Sequence, residues 1–234
     1  MKILSKSLQP MGKRPMGLPI AKEGYPFIIP PAMATLLFGS LGWVYLTGVF
    51  CGITFFVISF FRNPTRTPPP SESAIVSPAD GKILKIESHL ESDFLHRETI
   101  KISIFMSLFN VHVNRSPMTG RVMKRVYHPG KFFAANTDKS SLLNERNALL
   151  LCSRDGFEIL FIQIAGIIAR RIVCYPQQGD LLKRGQIFGM IIFGSRVDIY
   201  LPPSVDIRVR VGDRVKAGET ILGYRDVKKT KDRD

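Results

Sequence analysis

Gly189-Met190-Ile191-Ile192-Phe193-Gly194-Ser195-Arg196-Val197-Asp198-Ile199-Tyr200-Leu201-Pro202 reads as one long β-strand with a flaw in its middle. β-Branched and aromatic residues fill it, the composition of a pleated, half-buried surface. Gly194-Ser195 interrupts it. Glycine weakens a strand and marks a bulge or a close backbone approach. The pair alone is uninformative, because a second copy stands at Gly39-Ser40.

Further runs of the same kind surround this stretch. They are Lys82–Glu87, Thr99–Phe105, Gly120–Tyr127, Ala148–Cys152, Phe157–Ile164, Arg171–Tyr175 and Asp206–Val211, punctuated by Gly, Pro, Asp and Asn. Thr137–Arg146 alone suggests a helical turn. The expected fold is mainly β, a flattened barrel or sandwich of short strands. A weak internal echo refines it. Gly179-Asp180-Leu181-Leu182-Lys183-Arg184-Gly185 matches Gly212-Asp213-Arg214-Val215-Lys216-Ala217-Gly218. Such Gly-Asp turns occur in the biotinyl/lipoyl type of hybrid barrel. Neither Lys183 nor Lys216 sits at a hairpin tip where a carrier lysine is modified, so the echo concerns architecture, not carrier function.

The N-terminal quarter differs. From Gly24 to Phe61 no residue is charged. As one helix this stretch would be about 57 Å long, against a hydrocarbon core of about 30 Å. Two segments are therefore expected, Phe27–Phe38 and Trp43–Phe61, broken at Phe38-Gly39-Ser40-Leu41-Gly42. The first carries Pro30-Pro31; the second reads as long enough to span. A cleavable signal peptide does not fit so long and late an apolar run. Lys2, Lys6, Lys13, Arg14 and Lys22 precede it, and Arg62 and Arg66 follow. With both flanks basic, both ends stay cytoplasmic and the segment is a hairpin or a shallow re-entrant anchor. The expected organisation is a basic segment over 1–23, the anchoring hairpin over 24–61, a Pro-rich linker over 62–75 and a β domain over 76–234.

Lys plus Arg outnumber Asp plus Glu by 33 to 19, a net charge of +14, which favours anionic partners. Beside an apolar hairpin the expected partner is an anionic membrane on the cytoplasmic face, not nucleic acid. The three cysteines form no CxxC and no metal-like cluster, so free thiols in a reducing compartment are expected.

Four segments carry candidate chemistry: SPADG at 77–81, FNVHVNRSP at 109–117, YHPGKF at 127–132 with NERN at 144–147, and FGSRVDIYLP at 193–202. Each has an ordinary reading. P-x-D-G is common turn chemistry, and a lone histidine between valines is usually a core residue. Ser195 also has a chemical reading. Its hydroxyl can reach back to the Gly194 carbonyl and turn the peptide bond into an ester. Elimination and hydrolysis then leave a pyruvoyl group on the former serine.

Taken as an ordered set, these motifs resemble the short form of the phosphatidylserine decarboxylase family, from Phe61 to Gly223. The resemblance implies a proenzyme that cleaves itself between Gly194 and Ser195. It would leave a β chain of 1–194 and an α chain of 195–234 as a heterodimer, with a higher oligomer left open. The implied cofactor is the covalent pyruvoyl group derived from Ser195. Its carbonyl would form a Schiff base with phosphatidylserine and release CO2, giving phosphatidylethanolamine. The resemblance also implies Asp80 as the carboxylate of self-cleavage and His112 as proton donor. Arg115 stands near the place of a second family histidine, so the self-cleavage imidazole is His112 or His128. Arg62, Arg115 and Lys131 are candidates for substrate phosphate; no metal is implied. Competing readings are a membrane-anchored lipoyl-like adaptor without activity, a pyruvoyl decarboxylase of a soluble amino acid, and one acting on archaetidylserine.

Overall fold

The computed structural model describes residues 19–130, 144–166, 171–192 and 195–226. Two helices come first: α1 over Tyr25–Ser40 and α2 over Val44–Phe60. The break falls where the glycines predicted it. Gly42 has φ of 72°, a conformation that costs glycine little. Pro26 sits in the first turn of α1, where no N–H is needed. Pro30 and Pro31 lie inside α1, each removing a helical hydrogen bond. Among the described residues no helix is long and apolar enough to cross a membrane. The expectation that the second segment is long enough to span is corrected. α2 has 17 residues, about 26 Å of helix, because Phe61 leaves helical geometry and turns into the β domain.

Fourteen strands follow among the described residues. They are β1 (Ala74–Val76), β2 (Gly81–Glu91), β3 (Arg97–Met106), β4 (Val113–Arg115), β5 (Gly120–His128), β6 (Arg146–Cys152) and β7 (Glu158–Ala165). Then come β8 (Arg171–Cys174), β9 (Leu181–Leu182), β10 (Ile187–Ile192), β11 (Ser195–Leu201), β12 (Asp206–Ile207), β13 (Arg214–Val215) and β14 (Ile221–Tyr224). An eight-stranded sheet runs β13-β2-β3-β11-β7-β6-β5-β9, curled into a half-barrel. Two three-stranded sheets, β1-β14-β12 and β4-β10-β8, complete the domain. The mainly-β fold with an N-terminal helical pair is as expected. Thr137–Leu143 of the expected helical turn lies outside the described residues, and Arg146 opens β6.

The sheet order reads the same from both ends, because the domain is an interlocked inverted repeat. β1, β2, β3, β11, β12, β13 and β14 correspond to β4 through β10. The Gly-Asp turns form its two outer edges. Gly179 N–H donates to the Val122 carbonyl at 2.8 Å, and Gly212 N–H to the Ile83 carbonyl at 2.9 Å. Gly185 N–H donates to Ser116 O, and Gly218 N–H to Ser77 O, both at 2.8 Å. The partners are themselves a repeat that sequence reading passed over: Ser77-Pro78-Ala79-Asp80-Gly81 and Ser116-Pro117-Met118-Thr119-Gly120.

The run 189–202 is not one strand. β10 belongs to a small sheet, while β11 lies at the centre of the large one, between β3 and β7. Ser195 pairs with Met106, the last residue of β3. The chain leaves β3 at Met106, builds the whole second repeat, and returns to the opposite residue. Ser195 therefore begins β11 directly opposite the residue that ends β3, with the whole second repeat between them in the chain.

Val197, Ile199 and Leu201 alternate into the main core with Ile102, Ile104 and Met106 of β3. Ser195 shares their face of β11. Val57, Phe60 and Phe61 build a second core with Val111, Val113, Met190 and Ile192. The end of α2 is thus packed into the β domain.

Candidate active site

Ser195 is the first residue of β11 and is fully buried. Its Oγ donates to the Met106 thioether at 3.2 Å, a weak acceptor. Gly194 lies outside the described residues.

Asp80 stands at the turn into β2. A side chain at Gly81 would strike the Phe105 carbonyl oxygen at 2.1 Å, which explains the Asp-Gly pair. Lys82 pairs with Phe105, and Phe105 with Arg196, so Gly81 lies two ladder steps from Ser195, roughly 10 Å. Asp80 Oδ1 accepts the Ala217 N–H at 2.7 Å. Its other oxygen pairs with Arg66 at 2.9 Å, and Arg66 also binds Glu219 at 2.7 Å. Burial pushes the Asp80 carboxyl up, against the opposing pull of the Ala217 N–H and the Arg66 charge. The inverted repeat supplies a control for this residue. Thr119 takes its place in the other half, and Thr119 Oγ1 accepts the Arg184 N–H at 3.1 Å. A hydroxyl therefore suffices to hold that turn. The carboxylate of Asp80 goes beyond what the fold requires.

His112 precedes β4, and its carbonyl accepts the Ile191 N–H of β10 at 3.3 Å. Its ring is fully buried and stacks on Phe60, with centroids 4.1 Å apart. Nδ1 lies 3.0 Å from the Asn110 carbonyl. A carbonyl only accepts, so Nδ1 carries the proton and Nε2 presents a lone pair. Nε2 is buried with no partner among the described residues. Burial, with the charge of Arg62 adding to it, lowers the ring to about 4, so the imidazole rests neutral.

His128 stands apart. It ends β5 in the row His128–Arg146–Ile164–Arg196, three ladder steps from β11, roughly 14 Å. No hydrogen bond among the described residues joins Ser195 to Asp80, His112 or His128. Asp80 and His128 thus stand two and three ladder steps from β11 near its Ser195 end, and His112 lies just before β4, whose partner is β10.

Arg115 is buried and committed to the backbone. It donates to Gly185 O at 3.0 Å, Asn63 Oδ1 at 3.1 Å and Pro64 O at 2.9 Å. It fastens the segment after α2 to the domain. Lys131 lies outside the described residues. The residues after α2 are extended and tied down again by Arg184, which donates to the carbonyls of Pro69, Ser71 and Ala74. Above Asp80 opens a cleft of about 570 Å³ lined by Arg62, Asn63, Arg66, Val111 and Lys216.

Sequence reading missed Arg66 and Phe60, whose roles depend on distant contacts. It also missed a file of buried amides. Asn147 Nδ2 donates to Gln163 Oε1 at 3.2 Å, and Gln163 Nε2 to Asn114 Oδ1 at 2.9 Å. Polar residues within apolar strands were the available signal.

The fold defines a class of mainly-β protein: a half-barrel built from an inverted repeat, with a buried serine opening its central strand. The profile of the family described as phosphatidylserine decarboxylase matches residues 53–223. The phosphatidylserine decarboxylase proenzyme of Geotalea uraniireducens (strain Rf4) is 51% identical over 205 residues, covering 88% of this chain and 96% of that protein. That of Syntrophotalea carbinolica (strain DSM 2380 / NBRC 103641 / GraBd1) is 53% identical over 206 residues, with 88% and 96% covered. The chain belongs to the phosphatidylserine decarboxylase family. Its class is that of a decarboxylase, which removes the ground for a lipoyl-like adaptor without activity.

Proposed function

We propose that this protein is a phosphatidylserine decarboxylase, made as a proenzyme that splits between residues 194 and 195. It converts phosphatidylserine to phosphatidylethanolamine and CO2. The observation that carries this reading is Ser195 itself: a fully buried serine at the opened end of the central strand, its hydroxyl bonded among the described residues to a thioether, in a member of this family.

In the splitting reaction Ser195 Oγ adds to the carbonyl carbon bonded to its own nitrogen. The C–N bond breaks and an ester forms. Loss of the Ser195 α-proton breaks the Cβ–O bond, leaving a carboxylate on residue 194. Water then displaces the nitrogen as ammonia, and residue 195 ends as a pyruvoyl group. Each step moves a proton, and activating a serine requires a base. Asp80, with its raised affinity for protons, and the Nε2 lone pair of His112 are the candidate bases.

The burial of Ser195 and the unpartnered Nε2 of His112 fit a pyruvoyl group at this place, which supplies the electron sink that decarboxylation needs. His112 then returns a proton to the carbon that lost CO2. Because Nε2 rests unprotonated, it must take up that proton within the cycle. Arg62 and Lys216 line the cleft and give it positive charge to receive a phosphodiester, Arg66 being paired with Asp80 and Glu219. Exposed Met33, Leu36, Val44, Tyr45 and Phe55 on the helical pair, with Phe109 beside it, suit contact with a cytoplasmic membrane face.

Intact-mass spectrometry tests the reading. Two chains, 1–194 and 195–234, with a pyruvoyl start on the smaller, are expected. An active enzyme that remains one chain overturns it.

A further inference from the structure

The inverted repeat gives the cleft above Asp80 a counterpart, because the two halves pair in the same register. In the first half Val215 pairs with Gly81, Lys82 with Phe105, and Met106 with Ser195. In the second, Leu182 pairs with Gly120 and Arg121 with Cys152, and the Ser153 N–H donates to Phe157 O at 2.9 Å. Each half breaks register at the same step, after Ile83 and after Val122. The small sheets agree. Arg225 N–H donates to Ser73 O at 3.0 Å, as Ile191 N–H does to His112 O at 3.3 Å. Asp80, His112 and Ser195 therefore correspond to Thr119, Ser73 and Phe157. The carboxylate, the imidazole and the buried serine are not repeated.

A cleft is repeated all the same. It opens beside Thr119, with a volume of about 760 Å³ against about 570 Å³ above Asp80. Arg121, Arg154, Arg184 and Arg225 line it, against the carboxylates of Glu72 and Asp155. The repeat is again a control. Arg154, Arg184 and Arg225 stand where the first half has Ser107, Ala217 and Ile191. The shared fold therefore requires a cation at none of these positions.

Two of the arginines are fixed by the protein. Arg184 donates to the carbonyls of Pro69, Ser71 and Ala74, and Arg225 Nη1 to Asp155 and Ser153. The other two are exposed. Among the described residues Arg121 uses only Nη1, on Gly179 O at 2.6 Å, and Arg154 makes no hydrogen bond or ion pair. With Asp155 paired to Arg225, the remaining three guanidinium groups face Glu72 alone. A cleft with one sign of charge concentrates counter-ions, and the guanidinium fork matches phosphate oxygens two at a time. Met123 and Leu181, 44% and 47% exposed, add apolar surface to the same cleft.

We propose that this second cleft is a non-catalytic binding site for a phosphate ester. Arg121 and Arg154 close on the phosphate, and Met123 and Leu181 meet the organic part. The site goes beyond the decarboxylase reading and does not depend on it.

The test melts the full-length protein in detergent while inorganic phosphate replaces chloride at constant ionic strength, which holds screening fixed. A ligand that binds only the folded state raises the melting temperature as its concentration passes Kd. Wild type should show a saturating rise. Arg154→Ala should move the half-effect to about tenfold more phosphate, the order expected for one lost charged hydrogen bond. Arg121→Ala combined with Arg154→Ala should abolish the rise. Both side chains are exposed, so melting in chloride should hardly change. Arg62→Ala, at the other cleft, should keep the response. No phosphate-specific rise in wild type overturns the proposal. So does a rise that Arg62→Ala removes and Arg154→Ala leaves whole, which puts the phosphate above Asp80. Glycerophosphate and dihexanoyl phosphatidylglycerol, the latter below its micelle concentration, distinguish the source. An Arg154-dependent half-effect at lower concentration for the lipid assigns the site to a headgroup, and one at lower concentration for glycerophosphate assigns it to a soluble ester. Effects of both that ignore Arg154 overturn the site.

Discussion

The ring of Phe60, at the end of α2, lies 4.1 Å from the ring of His112, centroid to centroid, with planes 30° apart. A residue of the apolar helical pair thus forms one wall around the candidate proton donor. Phe60 contributes to the burial that holds the imidazole neutral. Phe60→Ala should admit water, raise the His112 pKa and move the acid limb of the pH–rate profile upward. The cavity should also cost about 3–5 kcal/mol. Turnover on detergent-dispersed substrate across pH, with thermal melting alongside, measures both.

His112 also predicts a pH dependence of stability. Its folded pKa is about 4 against an ordinary 6.5. Between these values the unfolded chain binds a proton that the folded chain refuses. Stability therefore falls as pH drops from 6.5 toward 4 and is unaffected by this group above 6.5. The loss is on the order of 3 kcal/mol. Denaturant melts at pH 7 and pH 4.5 should show a smaller difference for His112→Gln than for wild type. An equal difference in both would mean that another group dominates.

Asp80→Asn should remain a single chain. The asparagine can still accept the Ala217 N–H, as Thr119 accepts its counterpart in the other repeat. Folding is therefore retained while the carboxylate and its pair with Arg66 are lost. A gel that shows normal splitting of this variant would remove Asp80 from self-cleavage and leave it a turn residue.

The fragment beginning at Ser195 should stay bound after splitting. β11 pairs along its length with both β3 and β7, and β13 and β14 pair with β2 and β1. Size-exclusion chromatography should show both fragments in one peak, separating only in denaturant. Early release of the small fragment in native buffer would contradict the interlocked fold.

Truncation should separate anchoring from chemistry at a definite point. Removing residues up to Phe56 deletes most of the exposed apolar surface but spares Val57, Phe60 and Phe61, which belong to the second core. That chain should still split and should no longer sediment with anionic vesicles. Removing residues up to Arg62 also exposes His112 and should impair both splitting and stability. Equal behaviour of the two truncations would show that Phe60 and Phe61 are dispensable.

Local patterns in the sequence determined a great deal. Short β-branched runs between turn residues specify strands whatever surrounds them, and Gly42 breaks the apolar stretch because it alone takes positive φ cheaply there. The Gly-Asp echo and the ordered motifs were equally legible, and they led to the family and to Asp80, His112 and Ser195. Tertiary structure decided the rest, because the partners lie far apart in the chain. Residues 189–202 are continuous in hydropathy, yet they divide between two sheets, since β11 is drawn to β3 and β7. Arg115 resembled a phosphate ligand until Asn63, Pro64 and Gly185 claimed its guanidinium. Asn114 and Gln163 looked like isolated polar residues in apolar strands. Only the folding of β4 against β7 made them neighbours, and only Arg125, reached through Asn147 on the next strand, gave their hydrogen bonds a direction.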